Sequence, residues 1–499
     1  MISLLKTRGF MPLVSVVYLN AFIDLGHKII IQNTIFKIYD GSFQIVLTAI
    51  INALVLLPFV LFFIPAGQAS DRHAKTQILR LASVAALVLT GLIGLCYWQG
   101  WFWPAFALTF VLAVQSAYYG PAKYGLLKEL VENDMLSRAN GITQALATIG
   151  ILSGILCFSI LFEWRFPLVT VLDKNHLVQA MAPLSWGLIA IGAIECLLAW
   201  QLPIFAPQPA AKLEHRHELQ TLVRSPILWP AIIGLSVFWS VGQMLLATYP
   251  AFAKAEIGIT NTVVIQGLLA TIGLGIMLGS VIGGRLSRGH IEMALIPAAG
   301  IGICLTAFLL PMVTHIIPAS LMFFAIGVVG GFMVVPLNAC VQYCSDADKL
   351  GITIANSNLI QNIAMLTCLF ITVCSAFFDV SAKSLLFFVA VVAIAGIGLV
   401  LYKLPYTLLR LRNPVGKRLI VEGFNIVSGH GKVAFIIDDI SEKNLQLLQM
   451  AYPRKIGQAE DALAECRVTT DENLEGYQKY QVTIRETEKA CTLQFSPAA

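Results

Sequence analysis

Charge is what this sequence has least of. Only 12% of its 499 residues are Asp, Glu, Lys or Arg, while 57% are hydrophobic. A soluble chain carries roughly 25% charged residues to clothe its surface. A larger core cannot absorb the excess, because single cores stop growing at about 250–300 residues. A bilayer is the solvent left for so much apolar surface. The chain also lacks a disulfide framework. Cys96, Cys157, Cys196, Cys304, Cys368 and Cys374 lie inside apolar runs, where thiols act as small packing groups. Cys340 and Cys344 stand four apart at a helix end, with no His or Cys neighbour to complete a zinc set. The opening MISLLKTRGF is too short for a cleavable signal, so Met11 onward reads as a first span.

What is present is a succession of apolar segments, each near the roughly 20 residues that a spanning helix needs. Twelve are predicted, within 11–36, 43–66, 78–98, 101–122, 141–163, 184–205, 227–250, 262–286, 291–312, 317–341, 351–378 and 384–404. The widest polar break before the C-terminal region is 206–226, which divides them six and six. The expected fold is an all-α membrane protein of two six-helix bundles, 1–205 and 227–405, joined by a cytoplasmic loop at 206–226. Basic loop residues such as Arg72, Lys75, Lys128, Arg224 and Arg285 fall on one side. That bias predicts both termini in the cytoplasm. Trp98, Trp101 and Trp103 gather at one turn, as bilayer anchors do. After Pro405 the pattern changes. Alternating stretches at VEGFNIV, GKVAFIID, YQKYQVTIRE and ACTLQF, with an amphipathic helix from Ser441, predict a small cytoplasmic α+β domain at 406–499.

Charge inside a span costs roughly 2.5–3.5 kcal/mol on the insertion scale, so the exceptions matter. The first span carries Asp24, His27 and Lys28 on one helical face, a spacing that suggests an Asp24–Lys28 pair. Between spans two and three, GQASDRHAK offers Gly67 for a tight turn, Asp71 near a helix N-terminus, and Arg72 and Lys75 for phosphates or acidic partners. Gly120 and Pro121 are expected to end span four, leaving Lys123 and Tyr124 at head-group depth. Asn338, Asn356, Gln361 and Asn362 interrupt late apolar spans, as structural glue or as substrate contacts. Glu195 is a single charge in span six with no partner evident from sequence.

Together these residues resemble the major facilitator superfamily. GQASDRHAK is similar to the superfamily's signature loop. NAFIDLGHK, GPAKYGLLKELV, LSRANG, VFWSVG, GGFMVVPLNACVQ and IANSNLIQNIAML are similar to its bacterial lysophospholipid transporters, over about residues 10–405. The resemblance implies a carrier of lysophosphatidylethanolamine- and lysophosphatidylglycerol-type lipids to the cytoplasmic leaflet of the inner membrane, where an acyltransferase reacylates them. It assigns the first-span acid to Asp24, the PAKYG lysine to Lys123 and the late amides to Asn356, Gln361 and Asn362. The chain has Phe22-Ile23-Asp24-Leu25 where the family usually has F-G-D-N. Fused acyltransferase and acyl-activating domains, found in some relatives, are not expected. None of the eight histidines has Asp five positions later, and no phosphate loop of an AMP-forming ligase occurs. The chain reads as a transporter and not an enzyme. Its expected partners are a lysophospholipid and membrane lipids, with no nucleic acid, and its expected cofactors are none beyond a coupling proton or sodium ion. A coupled carrier of small polar solutes, and a membrane scaffold or sensor with 406–499 as output module, are the competing readings.

Overall fold

The first apolar run forms α1 (Phe10–Ile38), a 29-residue helix. At 1.5 Å per residue it is about 43 Å long, enough to cross a hydrocarbon layer of about 30 Å. The protein is described by a computed structural model covering residues 7–131, 133–205, 215–287, 291–345 and 350–404. In the C-terminal region it covers 407–408, 418–422, 427, 433–437, 441–453, 456, 466–469, 477–486 and 490–498.

The first half continues with α2 (Gly41–Leu61), α3 (Phe63–Arg72), α4 (Lys75–Trp98), α5 (Phe102–Leu130), α6 (Asn133–Arg165), α7 (Lys174–Ala180) and α8 (Leu184–Trp200). The second half has α9 (His215–Arg224), α10 (Leu228–Phe252), α11 (Thr262–Leu286), α12 (Leu295–Leu309), α13 (Ile316–Tyr343), α14 (Leu350–Phe377) and α15 (Ala382–Lys403). A helix lies in each of the twelve expected segments. Among the described residues, ten are long and apolar enough to cross a membrane, or eleven if α7 and α8, bent by 57°, make one span. Helix α5 falls outside that set, because Gln115, Ser116, Tyr119 and Lys123 make its second half polar. Leu81 and Trp164 are each 72% exposed and Phe378 83%. Large apolar side chains turned outward from apolar helices suit lipid rather than water.

Three local expectations change. Residues 67–72 are helical, so Gly67 makes no turn and Asp71 lies near the end of α3, not at the start of the next helix. Only His73 and Ala74 separate α3 from α4. The side chain of Asp71 lies outside the described residues. The Gly120–Pro121 pair does not end α5, which runs on to Leu130. Membrane helices tolerate such residues where neighbouring helices or local adjustment satisfy the freed carbonyl. In the polar break, 206–214 lies outside the described residues, while His215–Arg224 is helical.

Two compact units form. Unit 1 comprises Met1–Lys212, Gln243–Ala270 and Met365–Leu385; unit 2 comprises Leu213–Gly242, Thr271–Ala364 and Leu386–Ala499. In unit 1, α1 is the central helix, packed on α5, α6 and α8. Ile23 and Ile30 of α1 share a buried cluster with Phe106, Phe158, Phe162 and Leu188. The approach of α6 depends on two glycines. A Cβ on Gly150 would stand 2.5 Å from the Tyr18 carbonyl oxygen, and one on Gly154 2.7 Å from that of Phe22. This small-xxx-small spacing lets two backbones meet. In unit 2, Gly275 and Gly279 of α11 face Gly327 and Gly331 of α13 in the same way.

The C-terminal region builds a five-stranded sheet in the order β1-β5-β4-β2-β3. The strands are β1 (Arg418–Glu422), β2 (Val433–Ile436), β3 (Cys466–Thr469), β4 (Gln478–Glu486) and β5 (Ala490–Pro497). Strands β4 and β5 pair antiparallel as their sequences suggest, and β3 is an addition that its short run did not announce. Helix α16 (Glu442–Ala451) starts at Ser441, whose hydroxyl accepts the Asn444 N–H at 3.3 Å. The Tyr343 hydroxyl at the end of α13 donates to the Val427 carbonyl at 2.6 Å, which fastens this region to its own unit.

Candidate functional site

The polar residues of α1 follow one stripe, Asn20, Asp24 and His27, because positions three and four apart share a helix face. Asp24 is not paired with Lys28: among the described residues no Lys, Arg or His nitrogen lies within ion-pair distance of its carboxylate. The acid instead accepts a short hydrogen bond from the Ser116 hydroxyl of α5. An α-helix presents i and i+4 as neighbours but does not force their side chains together, and a hydroxyl on the facing helix competes for the carboxylate. Asn20 extends the network, with its amide N–H donating to Gln115 at 3.4 Å and to Glu195 of α8 at 3.3 Å. Glu195, single in the sequence, is fully buried here. Asp24 Oδ1, Glu195 Oε2, Gln115 Nε2 and the Tyr119 hydroxyl are buried without a hydrogen-bond partner.

His27 is engaged on both sides. Nε2 faces the Ala105 carbonyl at 3.1 Å and Thr109 Oγ1 at 3.2 Å, while Nδ1 lies 2.9 Å from the Tyr97 hydroxyl. A carbonyl only accepts, so Nε2 carries the proton, and a neutral ring can take the Tyr97 proton at Nδ1. Its place is in the packing between α1, α4 and α5.

Lys123 sits on α5 one turn beyond Tyr119. Its ammonium lies 4.7 Å from the Tyr124 ring centroid and 5.8 Å from that of Tyr119, within cation–π range. No carboxylate lies within ion-pair distance of it among the described residues. The Tyr124 hydroxyl donates to Gln144 at 3.0 Å. Lys75 pairs with Glu129 at 3.1 Å, joining α4 to α5, and Arg72 is exposed in the last turn of α3. In unit 2, Asn338 is exposed, Asn362 half-buried, and the Gln361 amide donates to Ser357 at 3.0 Å. Asn356 is fully buried with both amide atoms unpartnered.

A cavity of about 450 Å³ opens beside α4 and α5. Ile78, Leu81, Ala82 and Ala85 make its wall, with His73 and Gln115 among the few polar groups. Its size falls within the range of roughly 300–1,000 Å³ common for small-molecule sites. Gln115 therefore belongs both to this apolar cavity and to the Asn20–Ser116–Asp24 network.

A second charged cluster, which sequence reasoning missed, closes the Ile38 end of α1 within unit 1. Lys37 meets Glu163 at 2.8 Å and the Thr260 carbonyl at 2.8 Å, and its ammonium lies 4.0 Å from the Phe166 ring centroid. Glu163 also accepts the Thr262 N–H. Lys254 meets Asp40 at 2.7 Å and the carbonyls of Phe36 and Tyr39 at 2.8 and 3.1 Å. Asn33 accepts from Gln266 at 3.2 Å and donates to Ser159 at 3.2 Å. Below them Ala49, Ala247 and Leu369 pack together. The only signal in the sequence was that Lys37 and Lys254 are rare charges on a side otherwise poor in them.

The profile of the Major Facilitator Superfamily matches residues 10–367. A protein of Serratia proteamaculans named lysophospholipid transporter LplT is 30% identical over 380 residues, covering 74% of this chain and 88% of its own. A namesake from Citrobacter koseri is 29% identical over 382 residues, covering 73% and 87%. Among solved structures, a POT family transporter in complex with a thioalcohol-conjugated peptide superposes with a TM-score of 0.61 at 15% identity, over 80% of this chain and 96% of that one. A bacterial homolog of the human lysosomal transporter Spinster gives 0.59 at 15% identity, over 80% and 97%. These two show the fold alone. The chain belongs to the Major Facilitator Superfamily and, within it, to the family of the bacterial lysophospholipid transporters.

Proposed function

We propose that this protein carries lysophosphatidylethanolamine- and lysophosphatidylglycerol-type lipids from the outer to the cytoplasmic leaflet of a bacterial inner membrane, supplying an acyltransferase that restores the missing chain. Relatives named lysophospholipid transporters support the substrate class. The observation that carries the reading is Gln115, where an apolar cavity adjoins a polar cluster. A one-chain lipid is amphipathic in the same sense. Its tail suits the Ile78–Leu81–Ala85 wall, and its head group suits the stripe of Asn20 and Asp24. A small polar solute would gain nothing from the apolar wall.

In this reading Lys123, a cation with no carboxylate in ion-pair range among the described residues, holds the lipid phosphate, and Tyr124 lies at head-group depth. Asp24 and Lys28 face a zwitterionic head, while Asn338, Asn356, Gln361 and Asn362 serve it from the second half. Gly67, Asp71 and Arg72 of α3 and Lys75 of α4 flank the two-residue link at His73–Ala74, where the chain changes with conformation. Both termini, 206–226 and 406–499 are cytoplasmic, and alternating access moves the bundles 1–205 and 227–405 about the substrate.

The test is uptake of labelled lysophosphatidylethanolamine into proteoliposomes, with sugars, amino acids and drugs as competitors. Uptake that only lysophospholipids suppress supports the proposal. Absence of uptake by folded protein, or equal suppression by a polar solute, ends it.

A further inference from the structure

Three sulfurs gather in unit 2 where α12 starts and α13 ends. Cys340 and Cys344 stand one turn apart at the Tyr343 end of α13, the Cys344 N–H donating to the Cys340 carbonyl at 2.9 Å. Positions four apart share a helix face. Helix α12 packs along α13, and the turn before it brings in Met293. The Cys340 thiol donates to the Met293 thioether at 3.4 Å, across 47 positions of sequence. Cys340 is fully buried, and Met293 and Cys344 are nearly so. The two thiols lie within electrostatic reach of each other, and neither is in a disulfide.

A thiol buried alone is a small packing group. Two thiols beside a thioether are more than that, because all three are soft donors of the kind that select Cu(I). Harder ions are poorly served here. A structural zinc ion takes four ligands, almost always from Cys, His, Asp and Glu. Among the described residues no three such side chains gather. Calcium and magnesium require several oxygens. The carboxylate in this turn, Glu292, accepts the Ala294 N–H at 3.3 Å at the start of α12. The Tyr343 hydroxyl, between the two cysteines in sequence, is given to the Val427 carbonyl.

We propose that Cys340, Cys344 and Met293 form a binding site for one soft monovalent cation of the Cu(I) class. On binding, one thiol gives its proton to water and its sulfur bonds to the ion; no electron changes hands. The ion and the thiolate are neutral together, as a buried place demands. The other cysteine sulfur and the thioether complete the set as neutral donors, so one proton is released for each ion bound. The bound ion ties the start of α12 to the last turn of α13. That turn carries Tyr343, whose ring also lies 6.4 Å from the Tyr452 ring of the C-terminal region. Occupancy therefore stiffens the attachment of that region.

The site is independent of lipid carriage, and its test needs no transport. The full chain, purified in detergent under reducing conditions, is titrated with Cu(I) against a colorimetric Cu(I) chelator. One ion per chain should bind tightly, with one proton released. Losing a group that merely orients a ligand costs about 10–100-fold in metal affinity, so losing a ligand should cost at least as much. Cys340→Ala, Cys344→Ala and Met293→Leu should each show that loss while remaining monodisperse; Met293→Leu is close to volume-conserving and keeps the packing. The chain has ten cysteines, so several weak equivalents that none of the three variants changes would mean adventitious thiol binding only, and overturn the site. Zn(II) held as tightly as Cu(I) overturns the ion class. A second measurement uses wild type alone and survives any variant that fails to fold. X-ray absorption of the one-equivalent Cu(I) complex should show three sulfurs and no nitrogen or oxygen around the metal. A shell containing nitrogen or oxygen overturns the proposal.

Discussion

The alternating access proposed above requires the Ile38 end of α1 to open, and Glu163 is the group to perturb. Its carboxylate accepts from both the Lys37 ammonium, at 2.8 Å, and the Thr262 N–H. The two side chains are only 9% and 15% exposed, so solvent screens the pair weakly. Glu163→Gln keeps an oxygen for Thr262 and nearly the same shape, but removes the charge opposite Lys37. Hydrogen bonds to charged groups are worth about 1.5–3 kcal/mol, and the remaining Thr260 contact of Lys37 places the loss near the middle, about 2 kcal/mol. That is about a thirtyfold shift of the equilibrium toward opening. Spin labels at Phe43 and Glu256, both exposed and outside the cluster, would report it by double electron–electron resonance in a background without reactive cysteines. Wild type should show one short distance, and Glu163→Gln a second, longer population. The charge swap Lys37→Glu with Glu163→Lys should recover part of the short population, because the attraction is restored while the Thr260 and Thr262 bonds are not. Identical distributions for wild type and Glu163→Gln would mean that the charge pair does not hold this end closed.

Lys123→Ala should weaken binding of a lysophospholipid more than tenfold and leave a matched single-chain amphiphile without phosphate unaffected. Lys123→Arg should recover only part, since the guanidinium fork needs more room than the ammonium; equal loss for both ligands would make Lys123 a bilayer anchor. Ser116→Ala removes the hydrogen bond to Asp24, costs about 1.5–3 kcal/mol and should lower the rate of lysophospholipid uptake, whereas an unchanged rate would mean that Ser116 does not position the acid. Gly154→Val places a Cβ 2.7 Å from the Phe22 carbonyl, forces α6 away from α1 at a cost of about 1–3 kcal/mol, and should lower the thermal unfolding midpoint in detergent; Gly187→Ala, with open space around its Cβ, is the control. Tyr343→Phe removes the bond to the Val427 carbonyl, about 1 kcal/mol, and should speed amide hydrogen exchange in the C-terminal sheet without changing lipid uptake.

Sequence alone was enough for the membrane class, the twelve apolar segments and the antiparallel β4–β5 pair, because each follows from a period or run length within one stretch of chain. It also singled out Asp24 and Lys123, since an ionisable residue in an apolar span is visible without knowing its neighbours. It misassigned the partner of Asp24. Spacing along one helix offered Lys28, but the carboxylate turned to Ser116, 92 positions away and brought close only by the packing of α5 on α1. Glu195 looked solitary for the same reason: Asn20, its hydrogen-bond partner, lies 175 positions earlier. The Gly120–Pro121 pair looked like a helix end because local propensity takes no account of the surroundings that tolerate it. Lys37 stood out only as a rare charge on the side poor in them and Glu163 not at all, as each is an ordinary charge near a span end until α1, α6 and the Thr260–Thr262 turn converge. Burial and long-range pairing are properties of tertiary contact, so the sequence determined which residues carry chemistry and the fold decided which of them meet.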